Sequence, residues 1–156
     1  MNKVHKQRLF GRMEGDFVVF LIGMRINKFW KISDWWSVAM AMPKMLKELF
    51  QNPEHGFISA EYWFGRTTIM VQYWRSFEAL EAYAKDKDAK HFPAWKKFNL
   101  KFRKKESVGI WHETYRIRRG SYENVYVNMP AFGLGKAGKL QTASELYDTA
   151  RERMSI

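Results

Sequence analysis

The hydrophobic pattern changes period several times along the chain. Phe17 to Asn27 (FVVFLIGMRIN) is nearly continuously apolar, as expected of a central strand covered on both faces. After a cap signal at Ser33-Asp34, residues Trp36, Met40, Leu46, Leu49 and Phe50 recur near helical spacing. Pro43 interrupts that pattern. Either the helix bends there or a second helix begins with Pro43 at its first position. Asn52 to Gly56 reads as a loop. Two alternating runs follow, Phe57 to Phe64 and Thr67 to Trp74, around Gly65-Arg66. This predicts a hairpin with a two-residue type II′ turn. In that register Ile58, Ala60, Tyr62 and Phe64 share a face with Thr67, Ile69, Val71 and Tyr73. Phe57, Ser59, Glu61 and Trp63 share the other with Thr68, Met70, Gln72 and Trp74. The second face mixes tryptophans with Glu61 and Gln72, so it is expected to meet a partner subunit or a wet cavity.

Ser76 caps the next helix, with Glu78 in its first turn and Phe77, Leu80 and Ala84 as its buried stripe. His91, Trp95, Phe98 and Phe102 lie at i, i+4, i+7 and i+11 and predict a further helical stretch. Ser107 to Pro130 reads as a second hairpin: two aromatic, β-branched arms around a turn at Arg118-Arg119-Gly120-Ser121. A Gly-rich segment from Ala131 to Lys139 and a short polar helix within Thr142–Met154 complete the chain.

The expected order is βαββαβ plus an additional C-terminal strand. That order implies an α+β, ferredoxin-like fold, an antiparallel sheet with two helices on one side. Its other face would stay uncovered, and an aromatic face left open commonly dimerises. The chain divides into a loose basic N-terminal arm (1–16), the ferredoxin-like domain (17–130), and a Gly-rich loop with a tail helix (131–156).

Composition narrows the chemistry. The 156 residues include no cysteine, which removes disulfides, thiolate metal sites and cysteine nucleophiles and fits a reducing, cytoplasmic setting. Aromatic content of 17% favours an aromatic-lined pocket or a large interface. Twenty-seven basic residues against 16 acidic give a net charge of +11, which suits anionic partners. Lys101 to Lys105 fits a charged helix end better than a nucleic-acid site, so no nucleic-acid partner is expected. The run at Phe17 is bounded by Glu14, Asp16 and Arg25, which favours a strand over a leader peptide. No run approaches the ~20 apolar residues needed to span a membrane, and no membrane partner is expected.

Several motifs carry candidate chemistry. Gly133-Leu134-Gly135-Lys136-Ala137-Gly138 matches GxGxxG, but Pro130 precedes it and no βαβ unit follows, so it is no dinucleotide site. Lys136 and Lys139 leave a lid over an anionic ligand as one option for this loop. His112-Glu113 begins like HExxH, but Arg116 stands at the second histidine position and the segment reads as strand, so no metal site is expected. Glu61, Glu113 and Glu123 leave paired-carboxylate chemistry open, with nothing in the sequence to fix their separation. His91, one turn before Trp95, is a candidate base, hydrogen-bond donor or haem ligand. Strand alternation groups His112 with Ile110, Thr114 and Arg116, and Glu113 with Trp111 and Tyr115. One set faces the helix-covered side and the other the opposite face; the pattern leaves both assignments available.

The motifs His91-x-x-x-Trp95, Gly109-Ile110-Trp111-His112-Glu113-Thr114-Tyr115 and Tyr122-Glu123-x-x-Tyr126-x-Asn128-Met129-Pro130, followed by Gly133-Leu134, resemble a largely uncharacterised monooxygenase family of the dimeric α+β barrel superfamily. The resemblance covers roughly Phe17 to Gly138. It implies a ferredoxin-like protomer and a homodimer whose sheets pack into a barrel. Some members of that superfamily oxidise electron-rich aromatic or polyketide substrates without metal or flavin; others bind haem. The expectation is therefore an oxygenase acting with O2 on a hydrophobic, aromatic small molecule, with no cofactor. His91 or His112 would take the proton, with Glu113 as a further catalytic candidate. Trp63, Trp95, Trp111 and Tyr115 would wall the pocket. Arg116 would hold an anionic group, and Glu123 is a further substrate-binding candidate. The alternatives are a haem enzyme, haem-degrading or aldoxime-dehydratase-like, with His91 or His112 on the iron, and a non-catalytic small-molecule-binding protein.

Overall fold

β2 (Phe17–Ile26) is the spine of the molecule, paired along its whole length on one side and over Val18–Ile22 on the other. The computed structural model describes residues 3–89, 92–93, 96, 99–100, 105–144 and 147–154. Around β2 stand β3 (Phe57–Trp63), β4 (Ile69–Trp74) and β5 (Val108–Ile117), in the spatial order β3-β4-β2-β5 with every pairing antiparallel. Helices α1 (Ile32–Ala39) and α2 (Ala41–Gln51) follow β2, and α3 (Phe77–Lys85) follows β4. This strand order is the ferredoxin-like arrangement expected from the sequence. A second, two-stranded sheet pairs β1 (Leu9–Arg12) with β6 (Lys139–Thr142), and short helices α4 (Leu134–Ala137) and α5 (Ala150–Met154) accompany it.

One face of the sheet meets the helices. Val18, Phe20 and Ile22 of β2 join Phe57, Ala60, Tyr62, Met70 and Trp74 beneath Met45, Leu49, Leu80 and Tyr83. Pro43 is absorbed because the chain breaks at Met40, which places the proline in the first turn of α2. Ser76 caps α3 as expected, its hydroxyl accepting from the Ala79 N–H at 3.1 Å. The Ser33-Asp34 cap does not form. α1 begins at Ile32, and Asp34 is buried with the Ser107 hydroxyl donating to it at 2.8 Å. A long-range partner outcompeted the local cap.

The β3–β4 register differs from the two-residue turn. Trp63 pairs with Ile69, so five residues form the connection and the cross-strand partners slip by one. The slip regroups the faces. Ala60 and Tyr62 join Met70, Gln72 and Trp74 on the helix side, while Glu61 and Trp63 join Ile69, Val71 and Tyr73 on the other. A bulge near Ile58 then returns Phe57 to the helix side opposite Trp74. Gln72 is therefore in the core and does not face water or a partner. Its neighbours on the same strand satisfy it: the amide donates to the Met70 sulfur at 3.1 Å and accepts from the Trp74 indole at 2.8 Å.

Two further expectations change. The N-terminal arm is not loose throughout: Leu9 and Phe10 are buried in β1. The arm after Ser121 does not return along β5. It turns away at Gly120 (φ +76°) and runs beside the N-terminal segment, with bridges at Leu9–Tyr126 and His5–Met129. The additional strand expected in that arm does not join the central sheet; the C-terminal strand is instead Lys139–Thr142, at the end of the Gly-rich segment, where it pairs with β1. Side chains explain the diversion. The Tyr122 hydroxyl accepts from the Met13 N–H at 2.8 Å, and the Asn124 amide brackets Gly11, accepting from its N–H at 2.6 Å and donating to its carbonyl at 2.9 Å. Each contact fixes a backbone group that pairing with β5 would have left open.

Candidate functional site

The residues singled out from sequence fall into separate places. On β5 the alternation resolves: His112 pairs across from Ile22, on the helix side, with its ring 5.7 Å from that of Phe20. Arg116 shares that side. Its guanidinium lies 4.4 Å over the Phe77 ring and 3.7 Å from the Glu78 carboxylate, in an open groove at the start of α3 lined also by Asp16, Arg75 and Arg118. β5 is an edge strand, so His112 is exposed even though Phe20 and Ile22 beneath it belong to the core layer. His91 and Trp95 lie outside the described residues.

Glu113, Trp111 and Tyr115 face the other way, with Trp63 of β3 on the same side of the sheet. The Tyr115 hydroxyl donates a short hydrogen bond to Glu113, and that carboxylate holds the phenol pKa above its usual value. Trp111 closes over Gly23, where only glycine fits: an ideal Cβ would fall 2.0 Å from the Thr68 carbonyl oxygen and 2.8 Å from the Trp111 indole nitrogen. The indole N–H is buried without a hydrogen-bond partner among the described residues.

This second face is not wholly uncovered. Met13, Tyr122, Leu134 and Ala137 pack on Phe17, Val19, Val71, Tyr73 and Ile117, and Phe132 stands edge-on to Trp63. The Gly-rich segment is the element that does this. Its glycines serve close packing: an ideal Cβ on Gly135 would meet the Leu140 side chain at 2.7 Å, and one on Gly138 the Arg12 carbonyl oxygen at 2.2 Å. Lys136 is drawn down onto Glu61, at 3.2 Å, and the Ala60 carbonyl, at 3.1 Å. The segment is a docked helical turn, which leaves no lid there. Around it gathers a polar cluster that the sequence did not reveal: Glu61, Lys136, Tyr126, whose hydroxyl accepts from the Gly135 N–H at 3.1 Å, and Tyr73. Burial, with Tyr126 and Glu61 nearby, pushes the Tyr73 phenol up to about 12.

The three carboxylates do not pair. Glu61 is held by Lys136, Glu113 by Tyr115 and Glu123 by Arg153. Glu123 stands in the loop after β5, where the Arg153 guanidinium contacts it at 2.6 and 2.7 Å and also donates to the Tyr147 and Asp148 carbonyls. Glu61 and Glu113 share a face but sit on β3 and β5 with two strands between them, roughly 14 Å at the usual strand spacing and beyond the separation of a hydrolytic pair. Among the described residues no three His, Asp or Glu side chains gather as a metal site.

Strand order and the split of β5 side chains define the protein as a ferredoxin-like α+β domain with a histidine on the helix side of its edge strand. The chain belongs to the family described as monooxygenase af470-like, which matches residues 17–134. No curated protein matches it. Among solved structures it is similar to a conserved protein of unknown function from Bacteroides thetaiotaomicron, described as a possible oxidoreductase, at 16% identity over 67% of this chain and 100% of that one, with a TM-score of 0.44. It is also similar to MhuD from Mycobacterium tuberculosis, a haem degrader with two haems bound in its active site, at 16% identity over 65% of this chain and 93% of that one, with a TM-score of 0.28.

Proposed function

We propose that this protein is an oxygenase that inserts oxygen from O2 into a hydrophobic, aromatic small molecule on the helix side of the sheet, with His112 as the base. The carrying observation is the placement of His112: an imidazole open to approach, set over the Phe20 ring and an apolar floor. Membership of a monooxygenase family supports the reaction class. An activated CH2 flanked by aromatic rings would lose a proton to His112, and the resulting carbanion would pass electrons to O2. The balance closes without a reductant: CH2 and O2 become C=O and H2O. Arg116, on the same side, would orient an anionic substituent. Glu113 lies on the opposite face and takes no part in this chemistry.

Dimerisation belongs to the other face. Leu21, Ile69 and Trp111 are only half-buried there, and Trp63 and Tyr115 are exposed, which supports a homodimer packed sheet to sheet. Light scattering at micromolar concentration tests it; a monomer would remove the barrel from the reading.

Haem is the competing cofactor. His112 would hold the iron by donor type, and Arg116 would meet a propionate; haem would then supply the oxygen-activating chemistry. Visible spectra before and after hemin addition, beside oxygen uptake with an anthrone as probe, separate the readings. Oxygen uptake lost in His112→Ala without a Soret band supports the base. A Soret band lost in the same variant moves the role of His112 to the iron. With neither signal, the oxygenase reading fails and small-molecule binding is left.

A further inference from the structure

Two loops meet at one end of the central sheet. The β2–α1 connection carries Lys28, Phe29, Trp30 and Lys31, and the β3–β4 connection carries Phe64, Gly65 and Arg66. Backbone ties hold them together: the Ile26 N–H donates to the Arg66 carbonyl at 2.8 Å, and Arg66 Nε donates back to the Ile26 carbonyl at 3.3 Å. The same guanidinium lies 5.7 Å over the Phe29 ring. The outcome is an aromatic surface turned to solvent, with Trp30 77% and Phe64 83% exposed.

α1 extends this surface. Its Trp35, Val38 and Ala39 pack on Met24, Ile26 and Val108. That leaves Ile32, Trp36 and Met40, at i, i+4 and i+8, as a second apolar stripe, with Ile32 59% and Trp36 56% exposed. A surface helix needs one apolar stripe to bind its own core; the second serves something outside the chain.

Charge selects the occupant. Residues 27–47 hold four lysines and one acid, and that acid, Asp34, is buried against Ser107 with Lys105 3.7 Å away. Lys28, Lys31 and Arg66 therefore frame the aromatics in a protein of net charge +11. A second copy would bring this cationic frame against itself, which opposes association. Tryptophan and phenylalanine prefer the boundary between headgroups and acyl chains, and lysine and arginine meet lipid phosphates there. We propose that this end of the molecule docks on an anionic lipid surface, with Phe29, Trp30, Ile32, Trp36 and Phe64 at headgroup depth and Lys28, Lys31 and Arg66 on the phosphates. Such docking needs no spanning helix, and none of the described helices is long and apolar enough to span. It goes beyond the oxygenase reading and uses a different surface from the proposed site and dimer face.

Flotation of the full chain with vesicles tests it. Binding is expected on phosphatidylcholine mixed with phosphatidylglycerol, weakly on phosphatidylcholine alone, and less as salt rises. Trp30→Glu and Phe64→Glu should each cut binding about tenfold or more by setting a charge at headgroup depth. The double variant Lys28→Glu/Lys31→Glu should weaken binding to mixed vesicles and flatten the salt dependence. It contains no aromatic change, so it keeps the test valid if an aromatic variant misfolds. A chain that fails to float with mixed vesicles, or floats equally well with Trp30→Glu and Phe64→Glu, overturns the proposal. Self-association that Trp30→Glu abolishes, without vesicle binding, assigns the patch to a second copy and overturns it as well.

Discussion

Gly23→Ala adds one methyl group to the middle of β2, and the structure gives it nowhere to go. An ideal Cβ there falls 2.0 Å from the Thr68 carbonyl oxygen and 2.8 Å from the Trp111 indole nitrogen. Ordinary contact requires more than a further ångström on the carbonyl side, so the Thr68 peptide must move. Among the hydrogen bonds that hold that peptide and its neighbours to β2, three have backbone N–H donors: Thr68 N–H to the Met24 carbonyl at 2.8 Å, Met24 N–H to the Thr68 hydroxyl at 3.0 Å, and Ile26 N–H to the Arg66 carbonyl at 2.8 Å. At about 1 kcal/mol net for each, their loss amounts to roughly 3 kcal/mol. Alanine's smaller backbone entropy in the unfolded chain returns less than about 1 kcal/mol. The expected destabilisation is therefore about 2–3 kcal/mol. Urea denaturation followed by far-UV circular dichroism measures it. At a slope of about 2 kcal/mol per molar the midpoint should fall by roughly 1–1.5 M. A midpoint unchanged at unchanged slope would refute the reasoning, because the Thr68 carbonyl would then swing aside freely.

Other substitutions probe the remaining attachments. Arg153→Ala removes a buried guanidinium that holds Glu123 and two carbonyls, and should cost about 3–5 kcal/mol by denaturant titration if the C-terminal segment unfolds with the rest of the chain. Early proteolysis of residues 147–154 with an unchanged main transition would instead show that α5 detaches alone. Asp34→Ala leaves the Ser107 hydroxyl without its acceptor and should destabilise by about 1–3 kcal/mol. Ser107→Ala in the same background should add little if the pair is the reason. Tyr73 titrates near 12 in the fold against 10 in the unfolded chain, so the folded state keeps a proton that the unfolded state loses. Its contribution is complete below pH 10 and declines from pH 10 towards 12, by about 2–3 kcal/mol at most. Tyr73→Phe should flatten that decline in urea titrations at a series of pH values, and an unchanged slope would contradict it.

How much of this was readable in the sequence depended on the range of the forces involved. The apolar run of β2, the Ser76 cap and the βαββαβ order follow from periodicity and side-chain chemistry within a few residues, and they fix the ferredoxin-like strand order. Alternation along β5 was equally local: it separated His112 from Glu113, though it left open which one faced the helices. The β3–β4 register escaped because five residues, not two, make the connection, and a one-residue slip moves Gln72 from water to core. Ser33-Asp34 has the composition of a cap, yet Ser107, more than seventy residues away, claims the carboxylate. The arm after Gly120 has strand-like composition, but Tyr122 and Asn124 find better partners at Met13 and Gly11 than β5 provides. The sequence by itself determined the elements of the central βαββαβ unit and their order. Tertiary structure decided which face each residue serves, because burial, cross-strand register and distant hydrogen-bond partners are properties of the assembled chain.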